Sequence, residues 1–246
     1  STIMRSLRNS ELIDLWEWGQ NKPSLQQALI ILSAAYPDMT LEDLTGLTMG
    51  ERDSMLLRLR ESIFGHRVLG LASCPNCGEK MELSFDVADI LDRDLNICQR
   101  VEPLMIEEFK VFFRLPTIFD LMQSNAQDVP TMRRQLLQCC ISRAEKDGRE
   151  YDANLLSEAV LEAVVDQMGK ADPHGDLQID ISCPLCHQEN QLPFDIVSFL
   201  WIEIDTWARR LLEEVHILAS AYGWSEGEIL AMSSMRRQIY LNLVAQ

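Results

Sequence analysis

Seven cysteines occur in this 246-residue sequence, and four of them form two Cys-x-x-Cys pairs: Cys74/Cys77 in Ser-Cys-Pro-Asn-Cys-Gly and Cys183/Cys186 in Ser-Cys-Pro-Leu-Cys-His. Such a turn lets two thiolates converge on one cation while backbone amides behind them stabilise the negative charge. Two turns supply four sulfurs, the closed tetrahedral shell of structural zinc. Cys74, Cys77, Cys183 and Cys186 are therefore the expected ligands of one structural Zn2+. The pairs are far apart, with 105 residues between Cys77 and Cys183, where a compact ribbon has roughly 15–20. An internal repeat accounts for the distance. Residues 73–91 laid over 182–200 without gaps agree at eight of nineteen positions, and each copy follows an alternating apolar stretch. Two copies of one hairpin related by a local pseudo-twofold would bring both tips together and leave the intervening residues as an inserted layer.

Other chemistries are weaker on the same residues. Cys183-Pro-Leu-Cys186-His187 matches the c-type haem attachment pattern, but haem would leave Cys74/Cys77 without a role. A thioredoxin-like pair belongs at a helix N-terminus rather than at two hairpin tips. Gly223-Trp224-Ser225-Glu226-Gly227 satisfies the G-x-S-x-G formula of a hydrolase elbow. The elbow needs a strand before it, whereas residues 203–222 are helical in pattern, and His66, His174, His187 and His216 all precede Ser225. Ser225 reads instead as a helix N-cap answered by Glu228, with Trp224 as the hydrophobic staple. No residue is assigned a catalytic role, and the reading is not an enzyme. Cys98, Cys139 and Cys140 are expected to pack as small hydrophobes. The carboxylates and the pairs Arg209-Arg210 and Arg236-Arg237 are expected on solvated helix faces, and the five tryptophans mostly in the core.

The elements that hold the cysteines can be read on either side of them. Ser24 with Gln27, Thr40 with Asp43, and Thr48 with Glu51 fit N-cap patterns. Met55, Leu56, Leu59 and Ile63 recur at helical spacing, and Gly65 can end that helix. From Val68 to Asp86 the period shortens toward two, and Leu69, Leu71, Met81, Leu83 and Phe85 are expected on one face. Phe109–Leu115 reads as a strand ending at Pro116, with Thr117 capping a short helix. Residues 131–146 and 155–169 read as two amphipathic helices separated by Asp147-Gly148-Arg149-Glu150. Leu177, Ile179 and Ile181 alternate into the second knuckle. A long amphipathic helix then runs from Phe199 to Tyr222, and two short helices follow it.

Composition excludes some partners. The net charge is 22 − 38 = −16, and residues 73–130 carry eleven acidic against five basic side chains. Phosphate contacts need Lys and Arg, so the charge argues against nucleic acid as the main partner and disfavours anionic membranes likewise. The longest apolar runs, such as Ile196–Ile202, fall far below the roughly 20 residues of a spanning helix. The first residues carry no secretory signal pattern, so a cytoplasmic setting with reduced thiols is expected.

The runs LEDLTGLTMGERDSMLLRLRESIFG, LASCPNCGEKMELSFDV and FRLPTIFDLM, and the stretch from ISCPLCHQENQLPFDIVSFL to MRRQIYLNLV, resemble the baseplate protein family of T-even-like contractile phages and related contractile injection systems. The resemblance spans about Leu41 to Val244 and is most specific from Cys183 onward. It implies a non-enzymatic component or assembly factor of a tail baseplate, whose partners are other baseplate and tail proteins. A zinc-ribbon regulator contacting nucleic acid or a transcription complex is the alternative. The expected fold is α+β and mostly helical, with two duplicated β-hairpin zinc knuckles forming a split zinc ribbon. Its expected parts are a helical region over 1–66, a first knuckle over 67–90, an inserted strand and helical region over 91–176, a second knuckle over 177–200 and a helical region over 201–246.

Overall fold

A computed structural model describes residues 3–91, 103–124 and 128–245. The chain divides into two compact units, one of residues 1–39 with 196–246 and one of residues 40–195. The first unit opens with α1 (Asn9–Gly19) and α2 (Ser24–Ala35). Ala28, Ile31, Leu32 and Ala35 repeat at helical spacing on α2 and are buried. Pro23, not Ser24, occupies its N-cap. Gln27 donates to the Gly19 carbonyl instead of answering a cap, so the expected Ser24–Gln27 box does not form.

The second unit begins with α3 (Leu41–Thr45) and α4 (Met49–Phe64), and both expected capping boxes are present, Thr40 with Asp43 and Thr48 with Glu51. Gly65 ends α4 at φ +90°. The buried Arg60 donates to the carbonyls of Gly65 and Arg67, each at 2.7 Å, which fixes the turn into the first hairpin. That hairpin is β1 (Arg67–Ser73) and β2 (Lys80–Asp86), followed by the short α5 (Val87–Leu91). Val68 pairs with Phe85, Gly70 with Leu83 and Ala72 with Met81. Val68 and Met81 are buried, whereas Leu69 and Leu71 are 64% and 79% exposed. The sequence expectation that put Leu69 and Leu71 with Met81 is thus half a period out of phase on β1.

Four strands, β3 (Leu104–Ile106), β4 (Phe109–Phe113), β5 (Ile141–Lys146) and β6 (Arg149–Tyr151), form one antiparallel sheet in that order. Between β4 and β5 lie α6 (Ile118–Gln123) and α7 (Val129–Cys140), and after β6 comes α8 (Glu158–Ala171). The helix expected over 131–146 is therefore split: it stops at Cys140, and Ile141–Lys146 is a strand. Asp147 and Gly148 have φ of +50° and +75°. Two successive positive φ values are the geometry of a tight hairpin turn. Phe109, Val111, Phe113, Leu137, Ile141, Ala144, Val160 and Val164 share one core. The unit ends with the second hairpin, β7 (Gln178–Ser182) and β8 (Glu189–Pro193).

The chain returns to the first unit as α9 (Ile196–Tyr222), α10 (Glu226–Leu230) and α11 (Ser234–Val244). Val197, Leu200, Ile204, Ala208, Leu211, Val215 and Leu218 make a continuous buried stripe on α9. Several residue-level expectations need correction. Arg237 is buried, donating to Glu214 at 2.9 Å and to the Met232 carbonyl at 2.7 Å. Asp53, Asp120 and Asp172 are buried carboxylates. Asp120 is held down to about 2 first by the side chain of Arg114, which reaches it at 2.6 and 2.8 Å. Trp18 is exposed, and Trp16, Trp201, Trp207 and Trp224 are half-buried. Cys140 is buried but Cys139 is exposed, while Cys98 lies outside the described residues. No helix among the described residues is long and apolar enough to cross a membrane.

Candidate metal centre

Each hairpin runs in register to its last strand pair, Ser73↔Lys80 and Ser182↔Glu189, and the cysteines occupy the turn beyond it. The two turns close with the same backbone bonds. The Cys74 N–H donates to the Glu79 carbonyl and the Gly78 N–H to the Cys74 carbonyl, both at 2.8 Å. In the second copy the Cys183 N–H donates to Gln188 at 3.0 Å and the His187 N–H to Cys183 at 2.9 Å. The residue after each second cysteine has positive φ, +77° at Gly78 and +56° at His187. Glycine adopts this without penalty, whereas a side-chain-bearing residue there costs about 1–2 kcal/mol. His187 is exposed, so the Cys-x-x-Cys-His string reflects a turn position and not a separate motif.

The four cysteine sulfurs all lie within 4.8 Å of one another. The Sγ atoms of Cys74 and Cys186 are 3.7 Å apart, and those of Cys77 and Cys183 are 3.6 Å apart. A disulfide needs about 2.05 Å, so neither pair is bonded. Four sulfurs about 2.3 Å from a central ion in a tetrahedron stand about 3.8 Å from each other. The donor set therefore fits a four-thiolate metal shell. The repeat maps Cys74 onto Cys183 and Cys77 onto Cys186, so it exchanges the two short pairs with each other. Phe85 and Phe194, also equivalent in the repeat, meet edge to face at 5.3 Å. Met81 and Ile181 are buried with Cys74 and Cys183 in a small apolar cluster behind the sulfurs.

Four neighbouring thiols cannot all ionise by themselves, and the protons distribute unevenly. Cys186 accepts from the Asn76 side chain and from the Gln188 backbone amide, which draw it down to about 6. At Cys77 the Glu79 backbone amide favours the thiolate, yet desolvation and the three other sulfurs outweigh it and push the thiol up to about 12. A dication at the centre would remove this conflict by stabilising every thiolate together. Asn76 was not singled out in the sequence, and the repeat conceals it because its counterpart is Leu185.

Ser225 accepts from the Glu228 N–H and donates its own N–H and hydroxyl to the Glu228 carboxylate at 2.8 and 2.7 Å. The helix α9 precedes it, and Trp224 packs against the Ile229 cluster as the staple requires. Burial pushes the Cys140 thiol up to about 11, which suppresses its nucleophilicity. One polar cluster escaped the sequence reading. His174 is buried, with Nδ1 2.5 Å from the Ser54 hydroxyl and Nε2 2.9 Å from the Ile90 carbonyl, and Asp172 accepts from the Gly50 N–H at 2.9 Å. Residues 120 positions apart carried no spacing signal that could have paired them.

No curated protein and no solved structure matches this chain. The family model described as T4 bacteriophage base plate protein matches residues 12–201, most of the chain, including both knuckles and everything between them. The chain belongs to the T4 bacteriophage base plate protein family.

Proposed function

We propose that this protein is a non-enzymatic component or assembly factor of a contractile tail baseplate, acting through contacts with other baseplate and tail proteins and stabilised by one structural zinc on Cys74, Cys77, Cys183 and Cys186. The family match over residues 12–201 carries the baseplate part of this reading. The convergence of four sulfurs supports the metal part. Zinc suits an all-sulfur tetrahedral set better than hard cations do, and it brings no redox chemistry of its own. Bound there it would act as a cross-link, tying chain segments 105 residues apart. The protein would be made in the cytoplasm and join, or help to build, the particle there.

Two measurements test the two parts separately. Elemental analysis of protein purified without added metal should give about one zinc per chain; less than half an equivalent with all four thiols reduced would sink the zinc assignment. Tagged protein should co-purify with identified tail and baseplate proteins, and particles made without the gene should lack a normal baseplate. Normal contractile particles in its absence, with no tail protein captured, would rule out the baseplate role and return attention to the regulator reading.

A further inference from the structure

Beside the four-stranded sheet, α7 and α8 leave between them a cavity of about 430 Å³. Leu137, Ile141 and Leu156 line it and are themselves buried, which gives it an apolar floor, while Gln138, Asn154 and Glu158 make other parts of the lining polar. Arg133 and Arg134 stand on the same wall, both exposed, and neither has an ion-pair or hydrogen-bond partner among the described residues. Glu158 is the single acidic residue in the lining, so the rim carries two positive charges against one negative. This local excess of cations runs against the chain's net charge of −16. Exposed arginines that make no ion pair among the described residues add little to the stability of the fold.

We propose that this cavity receives a segment of a partner protein that inserts one large apolar side chain between α7 and α8 and pairs flanking carboxylates with Arg133 and Arg134. The volume lies in the range of about 300–1,000 Å³ typical of pockets that enclose a ligand group. Guanidinium forks grip carboxylates in two-point geometry, which sets register as well as attraction. Arginine beside an apolar floor is also a composition in which interface energy concentrates once a partner covers it. The rest of the chain repels an acidic segment, so the two arginines select where such a segment can sit. Raising salt weakens the local pairing and the long-range repulsion together, and charge reversal is therefore the better probe.

This rests on the baseplate reading for the source of the partner, and the experiment keeps the two apart. Gln138, an exposed residue of the same lining, is replaced by photoreactive p-benzoylphenylalanine in the full-length protein, which is irradiated with co-purified tail and baseplate proteins. The expected product is a cross-link to a partner segment with a large apolar residue flanked by at least two Asp or Glu. Arg133→Glu with Arg134→Glu should reduce its yield on the order of tenfold, and Arg133→Lys with Arg134→Lys should restore most of it. If tail proteins are captured but the cross-link is missing, maps to a segment without acids, or is unaffected by charge reversal, the cavity proposal falls and the baseplate reading stands. If no tail protein is captured at all, the baseplate reading falls and this proposal with it.

Discussion

At Asp53 the protein holds a carboxylate where water reaches it poorly. It is 5% exposed, and burial raises it from its ordinary value to about 6. Arg52, 2.6 Å away, acts in the opposite direction, while Asp195 and Asp172 add to the rise. A carboxyl raised on folding favours the folded state while it is protonated. Its contribution is complete below the unfolded value near 4 and is lost as pH climbs through the folded value near 6. The size is at most about 3 kcal/mol, from about 1.4 kcal/mol per tenfold change in proton affinity. Affinity for the proposed zinc would grow over the same interval because thiolates must deprotonate, so the parent's pH curve would mix two opposite effects. The Asp53→Asn variant separates them. Urea midpoints for parent and variant at pH 4 to 7, with zinc saturating, should give a stability difference that shifts in the variant's favour by up to about 3 kcal/mol between pH 4 and 6.5. A difference that stays flat across that interval means Asp53 titrates normally.

Elements differ in how far the sequence revealed them, and local signals did better than long-range ones. The caps at Thr40, Thr48 and Ser225 were readable because the donor and acceptor sit three residues apart. Both hairpins were readable because duplication doubles a weak pattern. The strand Ile141–Lys146 was missed because its only mark is the Asp147-Gly148 turn, while the residues before it continue a plausible helical stripe into β5. Leu69 and Leu71 misled because they are larger than Val68, Gly70 and Ala72, yet register with Met81, Leu83 and Phe85 turns the smaller set inward. Outside the duplicated knuckles, contacts between distant elements left no trace. A Cβ on Gly50 in α4 would stand 1.8 Å from Asp172 Oδ1 and 3.0 Å from the Gly175 backbone nitrogen. Because Asp172 accepts from the Gly50 N–H itself, it cannot swing away without leaving that donor buried and unpaired. Gly50→Ala should therefore cost about 1–3 kcal/mol, seen as a lower urea midpoint. Gly227 in α10 has open space around its Cβ position, so Gly227→Ala should be neutral or stabilising by up to about 1 kcal/mol. Equal effects at the two glycines would mean the Gly50 contact is not restrictive.

For the whole molecule, the decisive question is where the stabilisation by the proposed zinc would act. The first unit has its own apolar core along α9, and none of the four sulfurs belongs to it. In the second unit the inserted sheet keeps a separate cluster around Val111, Ala144, Val160 and Val164. The two hairpins have much less. Each is only two strands, an arrangement marginal in water by itself, and the buried cluster they share contains Cys74 and Cys183 themselves with Met81 and Ile181. Thiolate coordination of zinc contributes on the order of 10 kcal/mol in small zinc domains, more than four buried side chains supply. Chelation should therefore act unevenly. Hydrogen exchange read by mass spectrometry, with and without a strong chelator under native conditions, should show the amides of β1, β2, β7 and β8 losing protection first. Those of α2 and α9 should stay slow. Readdition of zinc should restore the hairpins, and replacing Cys77 and Cys186 with serine should reproduce the chelated pattern without any chelator. Unchanged exchange in the hairpins would show that the sulfurs pack without needing a cation. Simultaneous loss in α2 and α9 would show that the metal's contribution reaches the entire chain and that the two units unfold as one.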